Sequence, residues 1–198
     1  MIGAERYVSE CAHLPNYYGD LRVMVYAPQY YIKYRAGPDS YSHDIVLSKR
    51  YVDYSDHFLG YFENMYKGLK EDNVSVAFDL ITVMPSSKKG YLSKTLSPLA
   101  TKISEKTGVP VCQILERTRD VTSSGSNELS LPERFQKIKG SIAVIRNLKE
   151  NEKRILVLDD TKASGCSILE AASLLKNAGA VEVVLWCLGI NKYGWKYG

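Results

Sequence analysis

Cysteine is sparse and unpaired in this 198-residue chain: Cys11, Cys112, Cys166 and Cys187 form no C-x-x-C pair and no recognisable ligand spacing. That excludes a zinc ribbon, argues against a disulfide framework, and fits reduced thiols in a cytoplasmic protein. Histidine is scarcer still. His13, His43 and His57 stand alone, so neither a histidine metal set nor a histidine relay is expected. The longest apolar run, Val183 to Ile190, is too short to cross a bilayer. The opening MIGAERYVSE carries charge and no apolar h-region, and so shows no sign of a signal peptide. Internal repeats and low-complexity linkers are also missing.

What is present is ordinary globular material, 45% hydrophobic and 24% charged, enough for one domain or a domain with a modest appendage. A net charge of +4 permits an anionic ligand or nucleic acid and demands neither. Tyrosine is the outlier, with 15 against four phenylalanines, most of them before residue 70.

From about residue 79 strands and helices alternate. DLITVM (Asp79 to Met84) reads as a strand ended by Pro85, and the polar loop PSSKKG follows. Ser97 as a cap and Pro98 as the first helical residue predict a helix that stops at Gly108. VPVCQIL (Val109 to Leu115), SIAVI, RILVL and VEVVLWCLG read as further strands. SILEAASLLKNAG reads as a helix, with Ser167 and Glu170 spaced as a capping box and Gly179 at its end. Residues 116–139 are polar and show no clear period.

This pattern predicts an α/β fold, a mostly parallel sheet with helices on both faces. Upstream, Leu47, Tyr51, Tyr54, Phe58, Tyr61, Met65 and Leu69 recur at helical spacing. They predict one long helix from Asp44 to Lys70, its apolar stripe either a core face or a partner or nucleic-acid surface. The expected division is a Tyr-rich N-terminal extension over 1–75 and an α/β domain over 76–198, together one compact unit.

The chemistry concentrates in ILVLDDTKASGCS, Ile155 to Ser167. An apolar strand runs into two carboxylates, then into small and hydroxyl residues around one glycine, then into a helix. Ligands of open parallel sheets bind at the carboxyl ends of strands. There, loop N–H groups and a helix N-terminus suit a monophosphate, Ser164 and Ser167 can donate hydroxyls, and Gly165 allows close approach. Asp159 and Asp160 cannot hold phosphate, but they can accept from a sugar diol or hold a metal through water. A diol beside a monophosphate describes ribose 5-phosphate.

The stretch resembles the phosphoribosyl pyrophosphate (PRPP) motif of type I phosphoribosyltransferases. IKYRAG (Ile32 to Gly37), KKGY (Lys88 to Tyr91), LERTRD (Leu115 to Asp120) and LSLPERFQKIKGSIAV (Leu129 to Val144) add a likeness to the competence-associated ComF family, in a form without its zinc ribbon. The resemblance implies Asp159 and Asp160 on the ribose hydroxyls. It puts Thr161, Lys162, Ala163, Ser164, Gly165, Cys166 and Ser167 around the 5-phosphate, and Ser86, Ser87 and Lys88 on the pyrophosphate. The polar segment 116–139 is long enough to be either a lid or disordered, and as a lid it would bring Arg117, Arg119 or Lys137 onto the pyrophosphate. It also implies Mg²⁺ carried by the substrate, with Asp159 and Asp160 as outer-shell acceptors. Ala163 stands where purine-salvage members have an aspartate.

Two functions lead, ahead of a plain nucleoside-phosphate-binding module without partners. One is a phosphoribosyltransferase that releases pyrophosphate and uses an unknown nitrogenous acceptor. The other is a non-catalytic PRPP- or nucleotide-binding accessory in DNA uptake or nucleic-acid handling. Single-stranded DNA and a second copy of the chain are candidate partners, and a membrane is not.

Overall fold

The computed structural model describes residues 6–32, 40–49, 53–121 and 129–191. In chain order its elements are β1 (Val8–His13), α1 (Pro15–Tyr18), β2 (Arg22–Ala27), β3 (Gln29–Tyr31), α2 (Tyr41–Ser48), α3 (Ser55–Glu71) and β4 (Leu80–Val83). There follow α4 (Leu96–Thr107), β5 (Leu115–Arg117), α5 (Leu131–Ile138), β6 (Ile142–Val144), β7 (Arg154–Lys162), α6 (Cys166–Asn177) and β8 (Glu182–Asn191). The main sheet runs β1-β2-β8-β7-β4, with β3 also paired to β8. All its pairs are parallel except β1 with β2. The three N-terminal strands thus join the sheet built by the rest of the chain.

Both faces of the sheet are covered, which is why β7 from Ile155 to Leu158 and β8 from Val183 to Leu188 are apolar without interruption. Strand side chains alternate between faces. Ile155, Val157, Val183, Leu185 and Cys187 pack with Ile168, Leu169, Ala172 and Leu175 of α6. Leu156, Leu158, Val184, Trp186 and Leu188 pack with Ile45 of α2, Phe58, Phe62, Met65 and Leu69 of α3, and Leu99 and Ile103 of α4. Each fully buried Val, Leu, Ile, Phe or Met among them stabilises the fold by about 1.5–3 kcal/mol. Among the described residues no helix is long and apolar enough to cross a membrane.

Four local expectations need correction. The long helix from Asp44 to Lys70 is two helices, α2 and α3. Ser40 Oγ caps the first by accepting from His43 N at 3.2 Å, and Asp53 Oδ1 accepts from Ser55 N at 2.8 Å where the second begins. Tyr51 lies outside the described residues. Phe58, Met65 and Leu69 of the stripe are buried, so on α3 the stripe is a core face.

The second correction concerns VPVCQIL, which adds no strand to the sheet beyond an isolated parallel bridge between Ile81 and Val111. Pro110 has no N–H to continue the ladder, and the Gln113 side chain takes the place of backbone. Its Oε1 accepts from Val83 N at 3.3 Å and its Nε2 donates to Val83 O at 2.9 Å. The chain then turns away, and β5 pairs antiparallel with β6 (the SIAVI strand) in a separate ribbon.

Third, α4 is started by Ser93 rather than Ser97. Ser93 Oγ accepts from Leu96 N at 3.1 Å, and Pro98 falls within the first turn, where a missing N–H costs nothing. Its end at Gly108, in the left-handed region at φ 75°, is as expected.

Fourth, Ser167 and Glu170 form no capping box. The residue before α6 is Gly165, and Glu170 turns inward, accepting from Tyr18 Oη at 3.0 Å and Gly140 N at 2.7 Å.

Candidate functional site

The site arises where β4 lets go of β7. Their pairing ends at Val83 with Leu158 and the bond from Met84 N to Leu158 O, after which Pro85 carries the chain away. β7 continues along β8, pairing Asp159 with Cys187, Thr161 with Gly189 and Lys162 with Ile190. One edge of its carboxyl end is therefore open, and a cleft of about 220 Å³ forms there. This is smaller than the roughly 300 Å³ at which pockets begin to enclose a whole small molecule. It suits one charged end of a ligand.

Asp159 and Thr161 through Ser167 line this cleft, and so do Ser87, Arg117 and Lys137. Asp160, Ser86, Lys88 and Arg119 do not. The phosphate-loop residues arrive as a unit because Gly165 turns the chain at φ 85° straight into α6. No other residue fits easily, since a Cβ there would be strained and would stand 3.3 Å from Ala12 Cβ of β1. The first N–H groups of α6 have no partners within the helix and carry its positive dipole end into the cleft. Lys162 is not a free cation, because its ammonium is paired with the Glu10 carboxylate of β1.

The two aspartates part company. From Ile155 to Leu158 the odd residues of β7 face α6 and the even residues face α2 to α4. Asp159 continues the α6 side into the cleft and Asp160 turns to the α2 side. There Lys49, the residue closing α2, brings its Nζ to 3.2 Å from Asp160 Oδ2 and donates to Thr161 Oγ1 at 3.1 Å. Removal from water works against the Lys49 ammonium, but the charge of Asp160 and the hydrogen bond to it hold its pKa above the ordinary lysine value. Asp160 N in turn donates to Asp159 Oδ1 at 2.8 Å. Burial, and then the neighbouring Asp160 charge, raise the Asp159 carboxyl to about 7. Its own surroundings favour the neutral form, and cations or hydroxyl donors brought by a ligand would favour the charged one.

The other candidates are tied to backbone. Arg117 is 4% exposed. Its guanidinium donates to Ser86 O at 3.0 Å, Ser141 Oγ at 2.7 Å and Pro85 O at 3.2 Å. Arg119 Nη2 donates to Lys137 O at 3.0 Å and Lys139 O at 3.2 Å, where the C-terminal carbonyls of α5 welcome a cation. Ser86 Oγ is engaged with Lys88 N and Lys88 O inside its own turn. Lys88 itself is exposed.

Val121, Leu129, Arg134 and Ile138 line the cleft without having been expected there. Three of them belong to α5 or its approach. The S-x-x-E spacing from Ser130 to Glu133 announces that helix, and it is realised: Ser130 N donates to Glu133 Oε2 at 2.7 Å. Arg134 and Lys137, three residues apart, then share one face. Nothing local to Lys49 marks it. Residues 122–128, the middle of the expected lid, lie outside the described residues.

The arrangement can hold an anion on loop and helix N–H groups, accept from a polyol through Asp159, and set the basic side chains of Arg117, Arg134 and Lys137 along one wall. No family model matches the chain, and no curated protein does. Among solved structures, one described as the structure of the allosteric regulatory enzyme of purine biosynthesis is similar at 23% identity over 60% of this chain, with a TM-score of 0.38. The chain spans 23% of that protein's length.

Proposed function

We propose that the protein binds PRPP or a related ribose 5-phosphate ligand and transfers the 5-phosphoribosyl group to a nitrogenous acceptor. The observation that carries this reading is a single cleft joining an inward carboxylate, Asp159, to the glycine-turned loop 161–167 at the N-terminus of α6. The loop takes the 5-phosphate and Asp159 accepts from the ribose hydroxyls. Asp160 acts one step behind, its N–H orienting the Asp159 carboxylate. The turn of Ser86, Ser87 and Lys88 is assigned to the pyrophosphate, with Lys137 of α5 as an added point charge.

In the transfer, a bond forms from the acceptor nitrogen to C1 as the C1–O bond breaks. The electron pair leaves with pyrophosphate, and the acceptor nitrogen gives up its proton. Such a dissociative displacement asks for charge neutralisation, positioning and exclusion of water more than for a strong base. Among the described residues no three carboxylate, histidine or cysteine side chains gather as metal ligands. A Mg²⁺ ion would ride on the ligand's phosphates, with Asp159 accepting through its waters, and would neutralise the leaving group.

Calorimetry with PRPP and Mg²⁺ tests the reading. The wild type should bind and Asp159→Asn should lose most of the affinity; absence of binding by the wild type overturns the assignment. Pyrophosphate release across a panel of nitrogenous bases then separates transfer from binding alone. Binding without release, together with salt-dependent retention of single-stranded DNA that is lost when Lys88 and Lys89 become Glu, would favour the accessory role in DNA uptake.

A further inference from the structure

Lys49 belongs to neither the phosphate loop nor the cleft lining, yet it is held where it touches the acidic pair. Its Nζ lies 3.2 Å from Asp160 Oδ2 and 3.1 Å from Thr161 Oγ1, and 5.9 Å from the ring centroid of Tyr31. Thr161 Oγ1 donates on to Asp160 Oδ1 at 3.1 Å, closing a three-membered ring of polar contacts. The seat of α2 is itself built. Gly189 of β8 has no Cβ, and one placed there would meet Tyr31 Cβ at 2.8 Å and Ile45 Cδ1 at 2.9 Å. That absence lets α2 settle on β8 with Lys49, the residue after its last turn, over the end of β7.

The ring meets an electrostatic problem. An anion at the 161–167 loop sits beside two carboxylates adjacent in sequence. A unit charge a few ångströms away near a protein surface changes a binding constant by about tenfold or more. Arg134 and Lys137 stand on the α5 wall of the cleft, and several charged groups nearer the acidic pair are committed elsewhere. Lys162 is paired with Glu10, Arg117 is spread over Pro85, Ser86 and Ser141, and Asp44 of α2 is paired with His57 of α3.

We propose that Lys49 is a positioning residue for the ligand of this cleft. Its ammonium is the resident counter-ion of Asp160, and by cancelling that charge and pinning Thr161 it lets an anion settle beside Asp159. This inference rests on the sugar-phosphate reading above.

The test is calorimetry with ribose 5-phosphate, and separately with inorganic phosphate, in buffer containing EDTA. Wild type, Lys49→Met, Lys49→Arg and the double variant Lys49→Met/Asp160→Asn are compared, each checked for folding by thermal melting. Lys49→Met should bind about tenfold more weakly or worse, Lys49→Arg close to the wild type, and the double variant should recover most of the loss. A merely structural lysine would give no recovery in the double variant, because deleting Asp160's charge restores no contact. Binding by Lys49→Met within twofold of the wild type overturns the inference, and so does a double variant no better than Lys49→Met. If Lys49→Met does not fold, the decision passes to the double variant, whose near-wild-type binding is required. A wild type that binds neither anion overturns both this inference and the functional reading, whereas a binding wild type with an indifferent Lys49→Met overturns this one alone.

Discussion

Arg117 Nη1 donates to Ser141 Oγ at 2.7 Å, and the same guanidinium reaches the carbonyls of Ser86 and Pro85. One buried side chain thus ties the β5–β6 ribbon to the turn that follows β4. Arg117→Met strands those acceptors without a donor and should lower stability by about 2–4 kcal/mol. Arg117→Lys should restore little, since an ammonium lacks the planar fork. Urea unfolding measures both, and a loss under about 1 kcal/mol for Arg117→Met would show that the clamp is not structural.

Gly189 offers a steric prediction. Its missing Cβ is replaced in space by Tyr31 Cβ and Ile45 Cδ1, so Gly189→Ala overpacks the α2 seat and should cost about 1–3 kcal/mol. Ile45→Val removes the offending Cδ1. The two changes together should therefore cost less than the sum of each alone, and strict additivity in thermal unfolding would contradict the contact.

Asp159 makes stability depend on pH. Burial and then the Asp160 charge raise its carboxyl to about 7, against about 3.9 for a free aspartate. The native state therefore binds a proton that the unfolded chain has already released. The resulting stabilisation is full below about pH 4 and is lost as the pH rises through about 7. Asp159→Asn removes this dependence, so the variant should gain on the wild type in unfolding free energy from pH 4 to pH 8. A constant difference would refute the raised carboxyl.

Ser167 and Glu170 should behave oppositely. Glu170 accepts from Tyr18 Oη and Gly140 N, so Glu170→Ala leaves two donors unpaired and should cost about 1–3 kcal/mol. Ser167 caps nothing, and Ser167→Ala should stay within about 0.5 kcal/mol in stability while weakening ribose 5-phosphate binding. A large stability loss from Ser167→Ala would restore the capping reading. Denaturant melts and calorimetry on the same preparations settle both halves.

Legibility followed the range of the interactions. Ile155 to Leu158 and Val183 to Leu188 read correctly as buried strands, because burial on both faces writes an unbroken apolar run. VPVCQIL looks the same on paper. It fails as a strand because the Gln113 amide satisfies Val83 at the β4 edge and the Thr82 hydroxyl accepts from Ile114 N, side chains replacing the ladder, and apolar periodicity does not register such bonds. The polar stretch before Gly140 conceals α5, although its capping box is in plain view at Ser130 and Glu133. The helical stripe over 44–70 continues past the break between α2 and α3, because both helices bury the same face against the same sheet.

By itself the sequence determined the strand, the turn and the helix around the acidic pair. Those rest on the chirality of strands, the freedom of one glycine at Gly165 and the orphan N–H groups of a helix start, all contacts within a dozen residues. Only the tertiary structure decided what each acid does. β7 continues past both aspartates, so its pleat sends Asp159 into the cleft and Asp160 to Lys49. That lysine is distant in the chain and reaches the site only because Gly189 leaves room for α2.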